Sequence, residues 1–335
     1  SLSYKILKFI QILFIYLYSN KLTSGRNMKF SIIIPTYNRS DLLIETINSV
    51  LNQSLRDYEV IIVNDGSTDN TKEVLADYGN KIKVIHKENS GSEKSRNAGA
   101  EIASSDYLCF FDSDDLMFPW TLEVYNEVIK NENSPPLVLG QPLHFSDKIP
   151  DNFLNQPIKS IRYAVYKDYF SKDRTVYSSS SMIVIKKDYF YKVGMFRQHY
   201  AKKEYFLDDL DFMLRAGTIN PTIIIFEPYQ FGYRTHALNS VKNLKRVIKS
   251  LNYLIVEEKD GKFAGGAGRK FERHAIIGGP CYFWLFKAIR NGIIIDSLTF
   301  FFNAYPFILK GLIKKIRNSF RSKIKLKELN LIRDN

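Results

Sequence analysis

The 335-residue chain has only two cysteines, Cys109 and Cys281. That leaves no disulfide framework and no cysteine-based metal site, and two reduced thiols suit a cytoplasmic protein. Long apolar runs are missing too. The run Ile6 to Tyr18 is 13 residues long and carries Lys8 and Gln11, short of the ~20 that a spanning helix needs. It has the character of a signal sequence core, yet no small-residue cleavage site follows before Lys21. It is read as an interfacial, helix-prone segment. The first methionine, Met28, stands just before a strand pattern, so residues 1–27 are treated as a separate apolar and basic segment.

Acid is the scarcer charge, with 35 Asp and Glu against 48 Lys and Arg, a net +13. The imbalance sits at the two ends. Residues 1–27 hold Lys5, Lys8, Lys21 and Arg26 and no acid, and residues 310–335 hold nine Lys or Arg against Glu328 and Asp334, which leaves +2 for the 282 residues between. A nucleic-acid protein carries its basic stripe on the folded domain, whereas cationic termini beside apolar helices suit an anionic membrane surface. Peripheral membrane association is therefore expected, and nucleic acid is not.

With 45% apolar residues the chain can build a large core. Phe30 to Ile34, apolar apart from Ser31 and closed by Pro35, reads as a strand buried on both faces. Helical spacing follows at Leu43, Ile47, Val50 and Leu51, with Ser40 placed to cap it. Strands are expected at Val60–Val63, Ile82–Ile85 and Tyr107–Phe111, separated by helices over Asp69–Tyr78 and Ser92–Ala103. This alternation predicts an open α/β sheet that binds ligands at the carboxyl ends of its strands. After Pro135 and Pro136 the alternation breaks down. Strands at Ser181–Ile185 and Thr222–Phe226 and a helix over Leu207–Ala216 complete the same domain. Past residue 240 the pattern is helical, beginning with Leu244–Val256, with a glycine-rich stretch from Gly261 to Gly268. The divisions expected are residues 1–27, a catalytic domain at 28–240, and a helical, basic region at 241–335.

The strongest chemical signal is Phe110-Phe111-Asp112-Ser113-Asp114-Asp115, three carboxylates just past a buried strand. Crowded carboxylates raise one another's pKa unless a cation neutralises them, and a hard divalent ion with open positions for phosphate oxygens fits. Two more polar turns lie at the ends of earlier strands, Pro35-Thr36-Tyr37-Asn38-Arg39 and Asn64-Asp65-Gly66-Ser67-Thr68-Asp69. The second offers a carboxylate, a glycine for close backbone approach and hydroxyls at a helix start, all suited to a nucleotide.

Together with Ser95-Arg96-Asn97-Ala98-Gly99, these motifs resemble, in order and spacing, the nucleotide-sugar glycosyltransferases of family 2, over roughly residues 28–240. The resemblance implies the GT-A fold, an α/β mostly parallel open sheet. It also implies roles for individual residues. Pro35, Thr36 and Tyr37 would line the base pocket, and Asp65 would accept a hydrogen bond from a uracil-like imide. Arg96 would brace the acidic turn from behind. Asp112, with its neighbour Ser113, would contact ribose or metal, and Asp114 would ligate the metal. Asn64 stands where the family often has a second Asp. Leu207-Asp208-Asp209-Leu210-Asp211 resembles the acceptor-side acidic motif, with Asp209 at the position of the catalytic base and Asp208 where Glu is commoner. His236, in Tyr233-Arg234-Thr235-His236, falls where related enzymes place a His near the metal or diphosphate.

The implied activity is inverting transfer of a sugar from a nucleoside-diphosphate donor, UDP-linked first of all, to a saccharide or lipid-linked saccharide, with Mn2+ or Mg2+. Two other classes were weighed. Asp112-x-Asp114 at a strand end also resembles the nucleophile loop of haloacid-dehalogenase phosphatases, but that loop continues to Thr or Val where this chain has Asp115-Leu116. A non-catalytic membrane scaffold would have no use for the intact acidic residues. The stretch Gly292–Leu312 is apolar but broken by Asp296, Asn303, Pro306 and Lys310, so shallow insertion is expected. Lys314, Lys315, Arg317, Arg321, Lys323, Lys325 and Lys327 behind it would meet an anionic leaflet.

Overall fold

A computed structural model describes residues 29–146, 148–149, 151–154, 157–171, 179–198, 205, 207–236, 239–320 and 326–331. The expected N-terminal segment, and Arg321, Lys323 and Lys325, lie outside these. The first apolar run forms β1 (Phe30–Thr36), buried along its whole length. After α1 (Ser40–Leu51) comes β2 (Tyr58–Asn64), and after α2 (Thr71–Ala76) comes β3 (Lys83–His86). α3 (Ser92–Ile102) leads to β4 (Tyr107–Phe110). These four strands are parallel, in the order β4-β1-β2-β3, with Ile33 opposite both Ile61 and Phe110. Their centres are buried on both faces, which is why they read as unbroken apolar runs rather than alternating ones.

The strand β1 runs two residues beyond the expected stop. β4 ends opposite Ile33, so Pro35 lies where no strand flanks that side of β1 and its missing N–H costs no ladder bond. Ser40 is not a cap either. It is the first residue of α1, and its N–H donates to Asp69 Oδ2 at 3.2 Å. Asp69 Oδ1 also accepts from Thr71 N at 3.1 Å and Thr71 Oγ1 at 2.5 Å, so α2 starts at Thr71 with Asp69 as its side-chain acceptor. One carboxylate thus fastens the starts of two helices that flank the same sheet edge.

The second half of the chain continues the sheet. β5 (Leu116–Met117), α4 (Thr121–Asn131), β6 (Leu137–Leu139), β7 (Pro142–Phe145), β8 (Ser160–Tyr166) and β9 (Ile183–Lys186) follow. They lead to α5 (Lys187–Val193), α6 (Asp208–Arg215), β10 (Thr222–Glu227) and β11 (Phe231–Arg234). Among the described residues the main sheet has nine strands, ordered β12-β8-β10-β6-β9-β4-β1-β2-β3, where β12 is Lys327–Asn330. Only β8 and β9 run against the rest, so the sheet is mostly parallel in direction, as expected. β5, β11 and β7 form a separate three-stranded sheet. The aromatic side chains of Tyr163, Tyr166 and Phe170 are buried in this part of the core.

Three helices close the chain, α7 (Leu244–Lys259), α8 (Lys270–Arg290) and α9 (Ile294–Ser319). α8 and α9 pack closely because they meet at glycines. A Cβ on Gly278 would collide with the Phe307 carbonyl, and one on Gly311 would lie 3.2 Å from the Gly278 backbone. Ion pairs, of which Arg273–Glu258 is buried, tie these helices to one another and to the body. Arg273 Nε donates to Glu258 Oε2 at 2.6 Å, Arg197 Nη1 to Glu257 Oε2 at 2.7 Å, and Arg269 pairs with Asp168. The basic C-terminal row is divided as a result. Lys310 and Arg317 stand over the Phe271 ring, and Lys327 donates to Glu132 Oε1 at 2.7 Å on the edge strand. Among the described residues no helix is long and apolar enough to cross a membrane.

Candidate active site

The site forms where β1, β2 and β4 end. Gly66, at φ +76°, turns the β2 loop so closely that a Cβ would lie 2.7 Å from Asn89 N, a place only glycine fits. Asn38 Oδ1 accepts from Thr68 N at 2.8 Å, and Asp65 N donates to Thr36 O at 2.9 Å. Asn64 Oδ1 accepts from Ser67 N at 2.9 Å. Asn64 therefore closes the loop, which accounts for a neutral residue at that position. Asp65 is buried, with Oδ1 accepting from Ser90 N at 3.0 Å and Oδ2 from Gly91 N at 2.8 Å, and Lys87 beside it. Thr36 Oγ1 is buried and has no hydrogen-bond partner. An orphaned hydroxyl next to the exposed Tyr37 ring is what a pocket awaiting a polar ligand looks like.

The turn after β4 does not gather its three carboxylates around one point. Asp112 Oδ1 accepts from Arg96 Nη2 at 2.8 Å and from Ser180 Oγ at 2.9 Å. Asp114 Oδ2 meets Arg39 Nη1 at 2.7 Å and His236 Nε2 at 2.9 Å. Asp115 points inward, accepting from Ser181 Oγ at 2.7 Å and Arg234 N at 3.1 Å. Burial and the charges of Asp114 and Asp112 push Asp115 well above the usual carboxylate range. Burial acts on Asp114 too, but the hydrogen bond from His236 and the charge of Arg39 outweigh it and hold that carboxyl low. β11 brings His236 into place, because Arg234 Nε donates to Asp114 O at 3.0 Å and its Nη2 to Glu45 Oε2 at 2.6 Å.

On the other side stands the first turn of α6. Its carboxylates have different surroundings. Asp208 is buried against Arg96, Asp211 Oδ2 accepts from Arg215 Nε at 2.8 Å, and Asp209 lines the cavity. The Asp211–Arg215 pair is buried. Arg96, itself buried, thus joins Asp112 of the donor-side turn to Asp208 beside Asp209. Burial first, with Arg96 opposing and Asp112 adding to it, leaves Asp208 raised. Enclosure and the charge of Asp208 push Asp209 well up, against one hydrogen bond from Leu210 N at 2.7 Å. Glu93, in the first turn of α3, is raised to about 7 by burial and by Asp208.

One cavity of about 740 Å³ takes in Pro35, Thr36, Tyr37, Asp65, Arg96, Asp112, Ser113, Asp114 and Asp209. His236 reaches it through Asp114. Every residue expected at the site is therefore near the others. Arg39, Ser180 and Ser181 are contacts that sequence reasoning missed, although Arg39 closes a quoted motif and the serines belong to the run Ser178–Ser181. The wall supplied by α8 and α9, including Tyr282, Phe283, Leu312, Lys314 and Lys315, was not anticipated either.

Among the described residues no group of three His, Cys, Asp or Glu side chains is arranged to hold a metal by itself. Asp114 and His236 nevertheless present a carboxylate oxygen and an imidazole nitrogen 2.9 Å apart. That pair fits a divalent ion that completes its shell with ligand oxygens. Asp112, already held by Arg96 and Ser180, is less available.

Residues 31–194 match the sequence profile of Glycosyl transferase family 2. The chain carries a family 2 glycosyltransferase domain. A glycosyltransferase of Rickettsia bellii is 41% identical over 110 residues, 32% of this chain and 16% of that one. The poly(ribitol-phosphate) beta-N-acetylglucosaminyltransferase TarP of Staphylococcus aureus is 38% identical over 120 residues, 34% of this chain and 36% of that protein. The chain thus spans well under half of these relatives. The fold is shared, over 84% of this chain and 81% of that one, with residues 1–349 of S. aureus TarS, solved with UDP-GlcNAc, at a TM-score of 0.64 and 19% identity. The central sheet, flanking helices and C-terminal helices therefore have the GT-A fold, as expected.

Proposed function

We propose that the chain is an inverting glycosyltransferase that moves a sugar from a nucleoside-diphosphate donor, UDP-linked, to a hydroxyl of a saccharide acceptor. The observation that carries this reading is the Arg96 bridge from Asp112 to Asp208, whose neighbour Asp209 lines the same cavity. Donor binding to TarS, a protein of the same fold, supports the choice of UDP. The nucleoside would lie over Pro35, Thr36, Tyr37 and Asp65, and the ribose and diphosphate near Asp112, Ser113 and Asp114. Asp209 removes the proton of the acceptor hydroxyl as its oxygen bonds to the anomeric carbon and the bond to the diphosphate breaks. The raised pKa of Asp209 makes it a stronger base than an ordinary carboxylate. A single displacement inverts the configuration.

Asp114 and His236 would hold Mn2+ or Mg2+, which supplies positive charge to the departing diphosphate. Arg39 would then have to leave Asp114 Oδ2, and its guanidinium is long enough to turn to phosphate. The exposed apolar and basic faces of α8 and α9 support peripheral docking on an anionic membrane surface. The test is a screen of UDP- and GDP-sugars with the full chain, reading nucleotide release with manganese and with chelator. Release from a UDP-sugar that needs the metal is expected. Release of inorganic phosphate from phosphomonoesters instead would overturn the reading.

A further inference from the structure

The cavity has two kinds of wall. The sheet edge supplies Asp, Arg, Ser and Thr, whereas α8 and α9 supply Tyr282, Phe283 and Leu312 together with Lys314 and Lys315. These apolar side chains are not sealed inside, since Tyr282 is 43%, Phe283 53% and Leu312 38% exposed. The Tyr282 ring meets that of Phe286 at 4.8 Å, and the same helices go on to expose Leu298, Phe302 and Tyr305, with Phe302 at 77%. Proteins surrounded only by water seldom leave so many large apolar groups together. α9 carries one acid, Asp296, near its start, and then Lys310, Lys314, Lys315 and Arg317. The cavity is therefore bordered by carboxylates, by cations and by partly exposed apolar side chains.

Resting on the glycosyltransferase reading, we propose that the acceptor is a saccharide carried on a long-chain lipid phosphate or diphosphate. Its phosphate lies against Lys314 and Lys315, its hydrocarbon chain lies along Tyr282, Phe283 and Leu312, and its sugar hydroxyl reaches Asp209. Such a molecule carries a counterpart for each kind of wall: a hydroxyl, an anion and a hydrocarbon chain. Lysine meets the phosphate as a point charge on a flexible stem. The apolar face that leads the chain in is the one that would rest in the outer part of a leaflet. A neutral glycan offers nothing to the two lysines or to the apolar rim.

The experiment measures KM for three acceptors with the full chain and saturating donor: a saccharide on a long-chain isoprenyl diphosphate in mixed micelles, the same saccharide diphosphate on a methyl group, and a neutral long-chain alkyl glycoside. The long-chain diphosphate should be preferred at least tenfold over each of the others. Lys314→Glu with Lys315→Glu should reduce the preference for diphosphate over the neutral glycoside toward unity, and Phe283→Ser should reduce the preference for the long chain over methyl. Equal use of the methyl diphosphate in the unaltered protein would mean that a free phosphate, not a lipid, is recognised, and would overturn the proposal. Equal use of the neutral glycoside would overturn it as well. If the unaltered protein releases no nucleotide from any donor, the glycosyltransferase reading fails and the proposal falls with it, an outcome distinct from release of nucleotide with the wrong acceptor preference.

Discussion

The two ends of the central sheet treat carboxylates in opposite ways. At the amino end, Glu59 of β2 accepts from Ser31 Oγ at 2.5 Å, Ser104 N at 2.6 Å, Ser104 Oγ at 2.8 Å and Lys83 Nζ at 2.6 Å. Burial alone would raise it, yet these donors bring it down to about 2. At the carboxyl end, burial and neighbouring acids hold Asp208 and Asp209 up, with Arg96 alone between Asp112 and Asp208. Four donors face Glu59, whereas desolvation and neighbouring acids act on Asp208 and Asp209 with fewer donors to offset them.

Removing the bridge should have the largest effect on stability. Arg96→Met leaves Asp112 and Asp208 without their shared cation, and breaking a buried pair costs about 3–5 kcal/mol. Thermal unfolding should show that loss, and transfer should fall more than tenfold because the two halves of the site lose their common brace. At the other end, Glu59→Gln should cost about 1–3 kcal/mol and leave kcat within about twofold, since Glu59 lies outside the cavity. Chemical denaturation and steady-state kinetics on the same preparation separate the two effects.

The pH dependence of that difference follows from its sign. Glu59 is lowered on folding from 4.5 to about 2, so its contribution is full above the unfolded value and is lost as pH falls through the folded one. A shift of that size corresponds to about 3 kcal/mol. Denaturation midpoints should therefore fall more steeply between pH 4.5 and 2 in the unaltered protein than in Glu59→Gln. The smallest effect belongs to the loop at the carboxyl end. Gly66→Ala puts a Cβ at positive φ and against Asn89, and should cost about 1–2 kcal/mol with weaker UDP binding by calorimetry.

The contrast also sets how far the site could be read from the chain. β1, β2 and β4 were legible because burial on both faces writes a continuous apolar run, and the acidic turns were legible because each follows such a run. The partners of those acids were not. Ser180 reaches Asp112 across 68 positions, and a run of serines has no periodicity to show which way its hydroxyls point. Arg39 was quoted in a motif, but nothing in its neighbours links it to Asp114. Lys327 read as one of a row of membrane-facing cations, whereas an edge strand sets it against Glu132. The wall from α8 and α9 depends on two glycines 33 positions apart, Gly278 and Gly311, letting the helices touch, and spacing within either helix alone does not reveal that.

The most direct test of the contrast is Asp209→Asn, followed by three readouts: transfer rate, UDP affinity and melting temperature. A lost general base costs about 10²–10⁴-fold in rate. Because Asp209 is raised on folding, its charge opposes the folded state at neutral pH, so the variant should melt higher than the unaltered protein, the reverse of Glu59→Gln. UDP affinity should stay within a few-fold, and the acid limb of the unaltered enzyme's pH–rate profile should lie above the ordinary carboxylate range. A variant that keeps its transfer rate, or that loses rate only by losing UDP, would contradict the assignment of Asp209 as the base.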